Sequence, residues 1–100
     1  MLGTCTALGD IDRSSASKFD AELRGAIDAA EEVLVRVDCS GVTFMDSAGY
    51  RVLVGATEYA VQRGHRLVLG DMSSPCAMLI GLCDSSHELR IERSTHLLAV

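Results

Sequence analysis

One stretch of the chain decides the fold: Asp38-Cys-Ser-Gly-Val-Thr-Phe-Met-Asp-Ser-Ala-Gly-Tyr-Arg-Val-Leu-Val54. Before it lies the apolar run Val33-Leu-Val-Arg-Val37, which is rich in β-branched residues and typical of a buried strand. From Tyr50 to Val61 the apolar residues recur with helical spacing. The polar turn Asp46-Ser-Ala-Gly49 lies between the two patterns. The sequence therefore predicts a strand, a turn and a helix in the middle of the chain.

The turn offers two candidate caps for this helix. The side-chain oxygen of Asp46 or of Ser47 can accept a hydrogen bond from an unpaired N–H of the first turn. A serine in this place is expected to be partly exposed, surrounded by free amide donors, and at the positive end of the helix dipole. Because caps of this type are common, these two residues alone predict no function.

Phe44-Met-Asp-Ser-Ala-Gly-Tyr-Arg-Val-Leu53 resembles the signature of the anti-sigma factor antagonists, the small STAS-domain proteins of bacteria. Gly9-Asp-Ile-Asp12 stands where that family has Gly-Glu-Leu-Asp. Downstream, Gly64-His-Arg-Leu-Val-Leu69 resembles the strand after the second helix, and Ser73-Ser-Pro75 resembles the opening of the third. The resemblance covers residues 7 to 92, and its pieces follow one another in the family's order.

The resemblance implies a function controlled by phosphorylation. In the family, the serine after the aspartate is phosphorylated by a partner kinase that is also the anti-sigma factor, and that serine is Ser47 here. The unphosphorylated form would bind the anti-sigma factor and free a sigma factor, and phosphorylation would switch this binding off. A phosphatase acting on phosphorylated Ser47 would be a second partner. The partner-binding residues that the match implies are Asp12, Asp46, Ser47, Ala48, Gly49, Tyr50 and Arg51.

We expect one α/β domain of STAS type over residues 1–100, with a mixed sheet of about four strands and helices packed on it. The predicted strands cover residues 4–8, 33–37, 66–69 and 88–93, and the predicted helices lie near 17–30, 47–63 and 74–83. Residues 39–44 are expected to connect a strand to a helix, and residues 95–100 to form a terminal helical turn. Only eight residues precede Gly9, so the family's first N-terminal strand is expected to be absent or truncated. Its absence would leave an unprotected edge strand.

Apolar spacing also predicts which side of each helix faces the core. Gly64 suits the residue after the second helix, because glycine tolerates the left-handed conformation that ends helices. Ser74 is expected to cap the third helix, with Pro75 at the first helical position. The predicted core positions are Phe19, Leu23, Ala26, Ile27 and Ala30 in the first helix, Val52, Leu53, Ala56, Ala60 and Val61 in the second, and Met78, Leu79, Leu82 and Cys83 in the third.

Composition limits the partners. The net charge of −5, with no basic cluster, argues against nucleic-acid binding. No apolar run approaches the roughly 20 residues that span a bilayer, so no membrane is expected. Because Met1-Leu-Gly-Thr-Cys5 lacks a basic segment followed by an apolar one, we predict a cytoplasmic protein without a signal peptide. A monomer or a weak dimer is expected.

The chain has four cysteines, Cys5, Cys39, Cys76 and Cys83, without Cys-x-x-Cys or zinc-finger spacing. We expect them to be reduced and mostly buried. Cys76 and Cys83 lie two turns apart on a predicted helix, too far for a mutual disulfide. A redox switch through Cys39 or Cys5 stays open as an alternative.

No catalytic residues, cofactor or metal site is predicted. His65, His87 and His96 are scattered, Gly-x-Ser-x-Gly is absent around Ser47, and no glycine-rich phosphate loop with lysine exists. Two alternatives remain beside the interaction module. One is a STAS sensor that binds a nucleotide or small ligand at the N-terminus of the second helix. The other is a small enzyme, which would need an acid, a base and a nucleophile that the sequence does not show.

Overall fold

The computed structural model describes residues 3–92, in which strands and helices alternate. The elements are β1 (Gly3–Ile11), α1 (Ala16–Ala29), β2 (Leu34–Met45), α2 (Ser47–Gln62), β3 (Arg66–Met72) and α3 (Ser74–Cys83). The α/β class is confirmed, and each of the three predicted helices is confirmed to within one residue at either end. Within residues 3–92, no helix is both long and apolar enough to cross a membrane.

The three strands form a parallel sheet in the order β1-β2-β3, so the expectation of a mixed sheet is wrong for the described residues. The strand-to-helix connection predicted at residues 39–44 is also wrong, because β2 continues through it. Leu8 lies opposite Gly41, and Ile11 lies opposite Met45. Aspartate and glycine are depleted in strands, so Asp38 and Gly41 led to a predicted strand that ended too early. Pairing with β1 overrides this preference, with register shifts between Thr6 and Leu8 and between Gly9 and Asp10.

The predicted fourth strand is reduced to an isolated bridge between Leu69 and Ile91. The Leu69 N–H donates to the Arg90 carbonyl at 2.8 Å, and the Glu92 N–H donates to the Leu69 carbonyl at 2.7 Å. The count of about four strands is therefore not confirmed, since three strands are present in residues 3–92. Arg93 and the helical turn predicted at 95–100 lie outside the described residues. β1 pairs with β2 alone in this part of the chain and forms one edge of the sheet.

The helices build the core against the sheet. α1 packs on β1 and α2, while α3 packs on β2. Much of the predicted core is confirmed, because Phe19, Leu23 and Ile27 of α1 and Leu53, Ala56 and Ala60 of α2 are buried. Val61 is 65% exposed, so its predicted core position is wrong. Each helical residue is rotated by about 100° from the last, and the preceding Ala60 already faces inward.

The predicted core face of α3 is wrong at two of its four positions, although Leu79 is partly buried and packs against the core. Cys76 and Ile80 are buried, whereas Met78 and Leu82 point outward. A helix that is apolar on every side gives no periodic signal from which to choose the buried face. The predicted cap is also shifted by one residue, because the Ser73 hydroxyl accepts the Cys76 N–H and Pro75 is the second helical residue. Gly64 follows α2 with φ +82°, as predicted for the residue that ends the helix.

Candidate functional site

Parallel pairing brings two separate turns to the same edge of the sheet. Ile11 and Met45 are paired at the carboxyl ends of β1 and β2, and the Asp46 N–H donates to the Ile11 carbonyl at 3.2 Å. Asp12 follows directly after Ile11, and Asp46 follows directly after Met45. The two aspartates that the sequence analysis selected therefore open neighbouring turns.

Asp46 is the N-cap of α2. Its Oδ1 accepts from the Ala48 N–H at 2.9 Å and from the Gly49 N–H at 3.3 Å, and its backbone is extended. The interpretation of Ser47 as a mere cap is thus wrong. The expectation of free amide donors around Ser47 is also wrong in part. Two of these donors, the N–H groups of Ala48 and Gly49, are already hydrogen-bonded to the Asp46 carboxylate.

Ser47 is the first residue of α2, and its side chain is exposed. Within residues 3–92, no side-chain hydrogen bond involves its hydroxyl. Arg51 lies one turn further along the same side of the helix and is also exposed. Ser47 therefore offers a hydroxyl that the fold does not use, with a cation one helical turn away.

Asp12 organises the loop between β1 and α1. Its Oδ1 accepts from the Ser14 hydroxyl at 2.6 Å, the Ser14 N–H at 2.9 Å and the Ser15 N–H at 3.2 Å. The Ser14 hydroxyl, together with these amides, lowers the pKa of the Asp12 carboxyl below its usual value. Because the folded state favours the ionised form, this loop gains stability above the ordinary aspartate pKa and loses it as pH falls through the lowered one.

Gly49 permits the close approach of α2 to the sheet. A Cβ atom here would lie 2.8 Å from Met45 Cγ and 3.0 Å from the Ile11 carbonyl oxygen. Gly49 is buried and Ala48 is half-buried, so their side of the helix faces the protein. Ala48 and Gly49 were predicted to bind the partner, but in the structure their main role is to pack the turn against the sheet.

An apolar patch lies beside the turn and consists of Phe44, Met78 and Leu82. These side chains are 49%, 69% and 77% exposed, respectively. With Met45, Pro75 and Leu79 they line a shallow hollow of about 240 Å³. Because Phe44 stands two residues before Asp46, the patch adjoins the start of α2. Adjacent exposed apolar side chains of this size often mark a protein-binding surface.

Comparison with known proteins identifies the family. The family model described as "Mlab, STAS domain" matches residues 4–94. The chain belongs to the STAS domain family. This STAS domain is also 32% identical, over 84 residues, to the anti-sigma-B factor antagonist of Listeria monocytogenes. That match covers 84% of the chain and 73% of the relative.

Solved structures agree on the fold. The anti-sigma factor antagonist SpoIIAA, in its unphosphorylated form, superposes with a TM-score of 0.69 at 14% identity, covering 97% of this chain and 84% of SpoIIAA. The STAS domain of the SulP transporter from Vibrio cholerae gives a TM-score of 0.67 at 14% identity, covering 99% and 85% of the two chains. Because a regulator and a transporter share this architecture, the fold alone does not assign a function.

Asp84 is a buried charged residue that the sequence analysis missed. Its carboxylate accepts from the Tyr50 hydroxyl at 2.7 Å and from the N–H groups of Glu88 and Leu89 at 3.0 and 3.3 Å. The Tyr50 hydroxyl also donates to Glu88 at 3.3 Å. The two carboxylates raise the pKa of the Tyr50 phenol, with the Asp84 hydrogen bond as the largest cause. Tyr50 thus links the first turn of α2 to the loop after α3. The sequence around Asp84 contains no periodic pattern from which this contact could have been predicted.

Replacing Asp46 by alanine should destabilise the STAS domain by about 1 kcal/mol, because the side-chain cap for two first-turn amides is lost. Asp46→Asn is the matched control, since its amide oxygen can accept the same hydrogen bonds without the charge. Urea unfolding of the two variants and the wild type measures the difference. Equal stability of Asp46→Ala and Asp46→Asn would contradict the assignment of Asp46 as the cap.

Proposed function

We propose that this STAS domain is an anti-sigma factor antagonist that binds an anti-sigma factor kinase and releases it when Ser47 is phosphorylated. The state of Ser47 carries the proposal: it is exposed, and its hydroxyl is not used by the described fold, whereas its neighbours Asp46 and Gly49 hold the turn together. The name of the Listeria relative supports the same role. A modification at this position can alter the surface without disturbing the packing beneath it.

The switch is electrostatic. A phosphate adds a charge of about −1.5 to −2 at neutral pH. The positive end of the α2 dipole tolerates this charge within the protein. The amides of Ala48 and Gly49 are already engaged by Asp46, so they are poorly placed to neutralise it. Negative charge therefore accumulates beside the Asp46 and Asp12 turns, where a partner shaped for a neutral hydroxyl would be repelled.

The surface around Ser47 suits a protein partner. The apolar patch of Phe44, Met78 and Leu82 supplies area that is released from water on contact. Arg51 supplies a positive charge on the exposed side of α2. A docking protein would accordingly carry an apolar surface next to a polar pocket for Ser47. The sensor alternative is less well supported, since a ligand at the start of α2 would compete with the Asp46 carboxylate for its amides.

Phosphorylation by the anti-sigma factor tests the proposal. The kinase and ATP should place a single phosphate on the wild-type STAS domain, and peptide mass spectrometry should locate it at Ser47. Ser47→Ala should accept none and should stay bound to the kinase in the presence of ATP. Treatment with a serine phosphatase should restore binding of the wild type.

Two other hydroxyls lie on the same segment and provide the internal control. Ser40 is exposed, and the Thr43 hydroxyl donates to Asp10 at 2.6 Å. Ser40→Ala and Thr43→Val should be phosphorylated like the wild type. Phosphate on either residue, or phosphorylation of Ser47→Ala, would show that the switch is assigned to the wrong side chain.

A further inference from the structure

One edge of the sheet has no neighbouring strand among residues 3–92. β1 pairs with β2 on one side only, so the backbone N–H and C=O groups of β1 that point away from β2 face no other strand. The stretch Gly3–Leu8 includes no charged residue and no proline, and the pairing with β2 is regular up to Thr6. Charges and proline commonly protect an exposed edge, whose backbone groups otherwise pair readily with another chain. This part of β1 is therefore open to strand pairing.

α1 lies beside the open edge. Leu23 is buried against the sheet, and Arg24 lies over the Tyr59 ring of α2, with 4.6 Å between the guanidinium carbon and the ring centroid. Successive helical residues are rotated by about 100°, which places a third side of α1 away from α2 and next to the β1 edge. That side carries Lys18, Glu22, Ala26 and Ala29.

Two hollows between β1 and this side of α1 form the β1–α1 groove. The first has a volume of about 230 Å³, and Ala7 and Glu22 are among the residues that line it. The second has a volume of about 330 Å³, and Gly3 and Ala29 are among its lining residues. Gly3 and Ala7 are about 13 Å apart along the strand, which is the length of four residues. An edge strand beside such pockets can bind an extended segment, whose backbone adds a strand while alternate side chains enter the pockets.

The walls of the β1–α1 groove are mostly acidic. Asp10 and Glu22 line the first hollow together with Lys18. Glu31 and Glu32 line the second. None of the ion pairs within residues 3–92 involves these carboxylates. A second copy of the chain would bring the same acidic walls against this edge and would be repelled, whereas basic side chains would be attracted.

We propose that the β1–α1 groove binds an extended segment of a partner protein with basic side chains four positions apart. The segment would pair with β1 as an additional strand, and its basic side chains would enter the two hollows. The part of this chain that follows the described residues begins at the opposite edge of the sheet, because Ile91 bridges to Leu69 of β3. No residue of α2 or of the turn before it lines the groove, so the proposal is independent of the switch at Ser47.

Titration of the ¹⁵N-labelled protein with defined peptides tests the proposal. The basic probe is an eight-residue peptide of alternating threonine and valine in which two threonines four positions apart are replaced by arginine. The acidic control has glutamate at the same two positions. We expect the basic probe to shift the amide resonances of Gly3–Leu8 and of the groove side of α1. It should bind about 10-fold more tightly than the acidic control, because two ion pairs replace two repulsive contacts.

Cysteine alkylation gives a second measure of where the probe binds. Cys5 lies between Gly3 and Ala7 on the same side of β1 and is half-buried, like Cys83 at the end of α3. The basic probe should slow the alkylation of Cys5 and leave that of Cys83 unchanged. The two remaining thiols, Cys39 and Cys76, are buried and should not react in the folded protein.

Substitutions on α1 separate binding in the groove from an effect of overall charge. Ala29 and Ala21 are both exposed, but only Ala29 lines the groove. Ala29→Arg should weaken binding of the basic probe about 5-fold, because it occupies the second hollow and adds a positive charge there. Ala21→Arg adds the same charge on the solvent side of the helix and should bind the probe like the wild type.

The same measurements can overturn the proposal. Unchanged β1 resonances at millimolar basic probe, equal binding of the two peptides, or equal loss of binding in Ala29→Arg and Ala21→Arg would each show that the groove is not the site. Shifts of the β1 resonances with protein concentration alone would identify a second copy as the occupant. Slow hydrogen exchange of every β1 amide in the free protein would show that the chain itself already covers this edge.

Discussion

Ser47→Asp is expected to fold as stably as the wild type and to bind the anti-sigma factor kinase about 5- to 150-fold more weakly. Folding should be unaffected because the Ser47 side chain is exposed and Asp46 provides the cap. A carboxylate in the first turn is also favoured by the helix dipole. Binding should weaken because the added charge lies where the partner would meet Ser47. Ser47→Ala should match the wild type in both stability and binding.

Thermal melts and a binding titration on the same preparations measure the two effects separately. Unchanged stability together with weaker binding distinguishes a charge switch from general damage to the protein, which would lower both. If Ser47→Asp bound the kinase as tightly as Ser47→Ala does, the charge-switch mechanism would be in serious doubt. If Ser47→Asp were less stable than both the wild type and Ser47→Ala, the added charge would be unfavourable within the turn itself, and weaker binding could then not be attributed to repulsion of the partner.

Leu82→Asp is expected to weaken kinase binding by about 30-fold, equivalent to about 2 kcal/mol, with little change in the stability of the STAS domain. Leu82 is 77% exposed and belongs to the apolar patch beside the Ser47 turn. A charge there must be desolvated when a partner covers it, and it removes apolar area from the contact. In the free protein the same charge stays in water, so the cost to stability should be about 1 kcal/mol or less, from the helix dipole and the lower helix propensity of aspartate.

Val61→Asp is a closely matched control. Val61 is 65% exposed, and like Leu82 it is the penultimate residue of its helix, so both substitutions place an acid near a helix C-terminus. Val61 lies at the far end of α2 from Ser47 and should leave kinase binding unchanged. Equal loss of binding in the two variants would indicate a charge effect of the whole protein. Unchanged binding in Leu82→Asp would show that the patch is not part of the interface. The hypothesis of a switch at Ser47 would not be affected by that result.

Local sequence patterns determined much of this structure. The spacing of Phe19, Leu23 and Ile27 predicted the buried side of α1, because those residues repeat with the helical period while charged residues lie on the opposite face. Gly64 and the Asp46-Ser47 turn set the two ends of α2 through the conformational freedom of glycine and the hydrogen bonds of a side-chain cap. Ser47 was selected by resemblance to a family, since a serine at a helix start is by itself too common to predict a switch.

The tertiary structure alone decided the features that depend on pairing across the sheet or on a choice of face. Parallel registration of β1 with β2 places the Asp12 and Asp46 turns side by side, and no local pattern encodes that distance. α3 is apolar on every side, so only its packing on β2 determines that Cys76 faces the core and Leu82 the solvent. The hydrogen bond between Tyr50 and Asp84 likewise joins segments distant in sequence. Such contacts arise from the joint arrangement of several elements, and periodicity within one element carries no information about them.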